Sequence, residues 1–246
     1  MGEKAINTSG HSKVHSPASA NLLIIGGTSS LSKSICELAL GEGWTVYATF
    51  RNDYKKFLSD QLNWIHLNFE ELESVDKALR DLGEIKFTKI IYLVGEISGL
   101  QNMDPFFPDL DSYVKRNISV PVWFLKHLLL NQEFSEGSTF TYMSSRAAQL
   151  GSNDFCYGMA KAAIENFIKS LSLLPALKLE FRVLRSGLIL GSQMQGNMPA
   201  EIVKLHMDKS GSELIDADFV ANQIWKFSNF RGSSAHFEII EVGPSY

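Results

Sequence analysis

Leu22-Leu23-Ile24-Ile25-Gly26-Gly27-Thr28-Ser29-Ser30-Leu31-Ser32 decides the fold. Four aliphatic residues in a row, without polar alternation, read as a strand buried on both faces. Two glycines end the run. Leu31, Ile35, Leu38 and Ala39 then share one face of a helix that Gly41 and Gly43 close. A buried strand turning through glycines into a helix is how a parallel α/β sheet begins.

The alternation continues along the chain. Residues 44–49, 64–67 and 89–94 read as strands two to four, with helical spacing over 74–82 and Gly95 closing the fourth strand. A loop rich in Pro and Asp leads into a long helix over about 112–130. Residues 138–143, 182–185 and 237–240 supply three more strands, with a helix starting near Tyr157 between the first two. The expected architecture is a single-domain, three-layer, doubly wound parallel sheet of about seven strands, Rossmann-like, over residues 21–246. Residues 1–20 are polar and read as a flexible tail.

Bulk composition narrows the function. The 246 residues are 45% hydrophobic and 20% charged, ordinary for a globular protein. A formal charge of −4 gives no reason to expect nucleic acid as a partner. The two cysteines, Cys36 and Cys156, form neither a disulfide framework nor a metal spacing. The tail lacks the apolar core of a signal peptide, and no apolar run approaches the roughly 20 residues that cross a bilayer. These features point to a cytoplasmic protein with no membrane partner.

Chemistry is concentrated in Tyr157-Gly158-Met159-Ala160-Lys161. On a helix the phenol and the ammonium, four residues apart, share a face. An adjacent cation stabilises phenolate and is expected to lower the tyrosine pKa. Ser144 stands thirteen positions before the tyrosine and offers a hydroxyl to a carbonyl. Together they can move a proton to or from a carbinol oxygen.

With Asn117 and the strand–glycine–helix opening, these residues resemble the short-chain dehydrogenases/reductases in their compact single-domain form, from about Leu22 to Gly243. The resemblance implies Tyr157 as general acid/base and Lys161 as its activator and a ribose ligand. It implies Ser144 on the reacting oxygen, with Ser145 as second candidate, and Asn117 as a kink in the long helix that holds a water. The implied cofactor loop is Gly26, Thr28, Ser29, Ser30 and Leu31, where Ser30 and Ser32 replace two glycines of the family's Gly-x-x-x-Gly-x-Gly. Phe50 takes the place of the acidic residue that grips the ribose of NAD, and Arg51 follows it. NADP(H) is therefore expected over NAD(H). Asn68 and Phe69 are expected near adenine. Gly95 remains from the fourth-strand signature, and Ser186, Gly187 and Ile189 are expected along the nicotinamide pocket.

The implied reaction interconverts a small-molecule ketone and a secondary alcohol, in a homodimer or homotetramer paired through the two long helices. The eroded glycine loop motivates an alternative: a catalytically weak NADP-binding sensor or scaffold of the same fold. A nucleotide-sugar epimerase or dehydratase is disfavoured, because little chain follows Gly187 to build a second domain. Arg146 reads as a surface residue rather than a substrate contact, and Cys156 as a small buried filler. The segment 192–212, with Met194, Met198 and Met207, and the segment 99–108, with Phe106 and Phe107, are expected to wall the substrate pocket.

Overall fold

The structure is a computed structural model. It describes residues 20–52, 61–96, 110–152, 154–190, 192–196, 200–201, 203–204, 214–229 and 237–242. Residues 1–19 of the tail, most of the segment 192–212 and the segment 99–108 lie outside the described residues, while Ala20 is buried beside β1.

Seven strands form one parallel sheet: β1 (Asn21–Ile25), β2 (Thr45–Phe50), β3 (Leu62–His66), β4 (Lys89–Tyr92), β5 (Ser138–Ser145), β6 (Leu179–Ser186) and β7 (Phe237–Val242). Their order is β3-β2-β1-β4-β5-β6-β7. Every pairing is parallel, so this is the doubly wound arrangement expected from the sequence. Chain order reverses between β1 and β4, which places a crevice at the carboxyl ends of those strands.

The central strands β1 and β4 are buried along nearly their whole length because both of their faces are covered. Leu23 and Ile25 of β1 face a core shared with α2 (Leu72–Gly83), α4 (Val120–Leu130) and α6 (Phe155–Leu171). Leu22 and Ile24 face the opposite core, with α1 (Ser30–Gly41) and α8 (Ala217–Asn229). The side-chain period of two divides each strand between the two cores.

The long helix is not uniform. It opens as α3 (Leu110–Val114), passes through a π-helical turn, Lys115–Ser119, and resumes as α4. Asn117 sits in the middle of that turn, so the expected kink takes the form of a π-bulge. Two short helices follow strands, α5 (Ala147–Leu150) after β5 and α7 (Gln193–Gly196) after β6. Among the described residues, no helix is long and apolar enough to cross a membrane.

Candidate active site

The turn from β1 to α1 is bare backbone for two separate reasons. Gly26 has φ +94°, which disfavours any side chain. At Gly27 an added Cβ would meet Ala48 Cβ at 2.8 Å and the Thr49 carbonyl at 3.0 Å. Thr49 anchors the turn: its hydroxyl accepts from the Gly26 N–H (2.9 Å) and its carbonyl from the Gly27 N–H (2.7 Å). Ser29 caps α1. Its hydroxyl accepts from the Ser32 N–H (3.1 Å), and the Ser32 hydroxyl accepts from the Ser29 N–H (2.9 Å). Ser32 also donates to the Ser29 carbonyl at 2.7 Å and is fully buried. The hydroxyl that replaces a loop glycine therefore builds the helix cap and does not face an anion. Thr28 is half-buried in the turn and Ser30 is exposed at the first helical position, whereas Leu31 is buried in the α1–α8 core.

Tyr157 and Lys161 share the face of α6 that meets the ends of β4 and β5. Asp154 caps this helix, its carboxylate accepting from the Tyr157 N–H at 3.0 Å. Lys161 Nζ donates to the Val94 carbonyl (3.1 Å) and the Met143 carbonyl (3.0 Å). It lies 5.7 Å from the Tyr157 ring centroid and 5.1 Å from that of Tyr142. The lysine stem crosses Gly95 so closely that a Cβ there would approach Lys161 Cε to 2.7 Å. That contact is a local physical reason for glycine at position 95.

The electrostatics differ from the expectation. Burial pushes the Tyr157 phenol up to about 12, with a Ser145 hydrogen bond opposing and the Asp154 carboxylate adding to the rise. Burial lowers Lys161 to about 7, opposed by the Glu165 carboxylate. The expected lowering of the tyrosine by its ammonium neighbour is not what this site produces. Two carbonyls hold the ammonium, and desolvation of the phenol dominates.

The two candidate serines have different partners. Tyr142 faces the α6 core and Met143 the opposite one. Two residues beyond Tyr142, Ser144 returns to the α6 side, where its hydroxyl, 2% exposed, donates to Glu165 Oε1. Arg185 of β6 grips the same carboxylate with Nε at 3.0 Å and Nη2 at 2.8 Å. Ser144 is thus part of a clamp joining β5, β6 and α6. Ser145, the last residue of β5, carries the hydroxyl bonded to the phenol.

Gly95, Glu96, Tyr113, Asn117, Tyr157 and Lys161 line one narrow cleft. Asn117 Nδ2 donates to the Tyr113 carbonyl at 3.2 Å across the π turn. Arg51, just beyond β2, is exposed and pairs with Glu96 at 3.5 Å. Asn68 does not point into the cleft. Its amide donates to Glu71 Oε1 (2.8 Å) and its side-chain oxygen accepts from the Glu70 N–H (3.1 Å), which shapes the entry to α2. Phe69 is buried against Phe124, ring centroids 5.6 Å apart, and belongs to the core. Ser186 is buried and donates to the Gly187 carbonyl at 3.0 Å. Ile189 forms a parallel bridge with Ile215, and Gly187 lies against the Ile215 side chain.

Arg146 is not a surface residue. It is 6% exposed, and its guanidinium donates to the Val242 carbonyl at 3.4 Å, tying β5 to β7. Cys156 is a buried filler beside Tyr113 and Ala160, with its thiol pKa raised by burial and by Asp154. Among the described residues, no group of three or more His, Cys, Asp or Glu could hold a metal ion. Glu96, Tyr113, Glu165 and Arg185 were not singled out from sequence, because each acts through partners distant in the chain.

No family model matches the sequence, and no curated protein matches it. Solved structures match along nearly their whole length. A short chain dehydrogenase family protein from Francisella tularensis subsp. tularensis SCHU S4 superposes with a TM-score of 0.72 at 18% identity, over 92% of this chain and 97% of that one. A dehydrogenase/reductase from Sinorhizobium meliloti 1021 gives 0.74 at 16% identity, over 91% and 94%. A short chain dehydrogenase from Burkholderia cenocepacia J2315, in complex with NADP, gives 0.70 at 17% identity, over 92% and 89%. The chain adopts the fold of the short-chain dehydrogenases/reductases. At these identities the likeness defines the fold, and the chemistry is argued from the site.

Proposed function

We propose that the chain is an NADP(H)-dependent oxidoreductase that interconverts a ketone and a secondary alcohol. The observation that carries this reading is the convergence of Tyr157, Lys161 and Asn117 on one cleft at the carboxyl edge of the sheet, with Ser145 hydrogen-bonded to the phenol. The residues present fit a dinucleotide. The bare turn at Gly26 and Gly27 leads into the N-terminus of α1, a favourable place for a pyrophosphate. Arg51, exposed just beyond β2, supports an NADP(H) preference, since a guanidinium can bond a 2′-phosphate. Solved structures of the same fold are dehydrogenases and reductases, and one holds NADP.

Bound NADPH supplies a hydride to the carbonyl carbon. Tyr157 retains its proton at neutral pH because burial holds the phenol near 12, so it is the acid that delivers a proton to the carbonyl oxygen. Ser145 orients the phenol and polarises the same oxygen. Lys161, lowered to about 7, can exchange protons at neutral pH and recharge the tyrosine. We assign the π turn at Asn117 the role of holding a water that connects this relay to solvent. The carbonyl substrate is a small molecule.

The test is NADPH consumption over a broad panel of ketones, by the wild-type protein and Tyr157→Phe. Turnover that falls by roughly 100-fold or more in the variant supports the mechanism. Full turnover in Tyr157→Phe refutes it. Tight NADPH binding without turnover on any carbonyl would instead favour the sensor reading.

Pairing into a homodimer or homotetramer is part of the proposal. Trp123 and Leu130 of α4 and Phe155 and Met159 of α6 leave large apolar side chains exposed, as a helix-paired assembly requires.

A further inference from the structure

Ion pairs at the mouth of the cleft bear on which dinucleotide the chain selects, an inference that rests on the oxidoreductase reading. Arg51 and Arg116 face the same carboxylate. Glu96 Oε2 lies 3.5 Å from Arg51 Nη1 and 3.6 Å from Arg116 Nε. Glu70 Oε1 is 3.8 Å from Arg116 Nη1.

The cluster is held in place from beneath. Tyr113 is buried, and its hydroxyl donates to the Glu96 backbone carbonyl at 2.7 Å. Its ring also supports the Arg116 guanidinium, 5.7 Å from the centroid. One tyrosine therefore fixes both the backbone that carries the carboxylate and the cation opposite it. Arg51 is fixed through its own carbonyl, which lies 2.9 Å from His66 Nε2.

Two guanidiniums around one carboxylate is the charge pattern of an anion site occupied by a side chain. The side chains of Arg51, Arg116 and Glu96 are 46%, 25% and 44% exposed, so an anion from solution can compete for the arginines. We propose that Arg116 joins Arg51 in receiving the ribose 2′-phosphate, and that Glu96 sets selectivity by competing with that phosphate for both. A phosphate offers more negative charge and a better fork geometry than a single carboxylate, so it displaces Glu96. The displaced carboxylate still repels the phosphate and limits the preference. NAD has only a hydroxyl at that position and leaves the ion pairs intact.

Isothermal titration calorimetry of NADP+ and NAD+ with the wild-type protein, Glu96→Gln and Arg116→Gln tests this. Glu96→Gln is expected to tighten NADP+ binding by about fivefold, from two exposed ion pairs removed, with NAD+ unchanged. Arg116→Gln is expected to weaken NADP+ by a similar factor, again with NAD+ unchanged. If both nucleotides bind and the NADP+/NAD+ ratio is the same in Glu96→Gln as in wild type, this inference fails while the oxidoreductase reading stands. If the wild-type protein binds neither nucleotide, both fail.

Discussion

Replacing Lys161 with methionine should change how stability depends on pH, and the site gives the size of the change. The ammonium is 5% exposed, and burial lowers it from 10.5 to about 7 in the folded chain. Between those two values the unfolded chain binds more protons than the folded one, so unfolding free energy must rise with pH. Below pH 7 both states are protonated and the penalty is constant. Integrating from pH 7 to pH 10 gives about 3.5 kcal/mol of stability regained through this one group. Lys161→Met removes the titration while keeping the stem. Urea unfolding of both proteins from pH 6.5 to pH 10 should show the wild-type curve rising relative to the variant by that order. The upper limit avoids Tyr157, whose raised pKa makes stability fall with pH between 10 and about 12. Parallel curves for the two proteins would refute the reasoning, because the lysine would then not be desolvated in the folded state.

Other consequences follow from single contacts. Gly95→Ala drives a methyl into the Lys161 stem and should cut turnover by roughly 100-fold, as expected for displacing a proton-transfer group, with a smaller loss of melting temperature. Ser145→Ala should lower kcat by about 100-fold, while Ser144→Ala, which strips a donor from Glu165, should cost about 1–3 kcal/mol of stability in a urea titration with little change in kcat. Phe69→Ala should cost roughly 3–5 kcal/mol by opening the core beside Phe124 and leave the nucleotide dissociation constant unchanged, as calorimetry would show. Alcohol oxidation, which needs the phenolate, should accelerate from pH 7 toward pH 10, while ketone reduction should not.

The sheet was legible where its central strands are short apolar runs ended by turn residues, as in β1 before Gly26. Leu22-Leu23-Ile24-Ile25 needs cover on both faces and receives it from two cores. Strand ends were less legible. β5 continues through Ser144 and Ser145 without apolar residues to mark it, so spacing alone did not show that the two serines have different partners. The pleat decides the matter by sending Ser144 under α6 to Glu165. Arg146 misled for a related reason: a charged residue after a strand reads as surface, and its Val242 acceptor lies 96 positions away. Asn68 and Phe69 occupy the expected place after β3, yet the polar side chain shapes a turn and the aromatic one enters the core. Burial also reversed the expected direction of the Tyr157 shift, since spacing reports proximity of charge but not desolvation.

If Tyr157 and a bound nicotinamide together reduce a ketone, the hydride must pass from the nicotinamide to carbon. NADPH carrying deuterium at the reactive nicotinamide carbon would be incubated with the protein and a panel of ketones, and the alcohols analysed by mass spectrometry. Wild-type protein should leave one deuterium on the carbinol carbon, and Tyr157→Phe should give little product. Saturating NADPH binding with no labelled alcohol from any ketone would contradict that transfer.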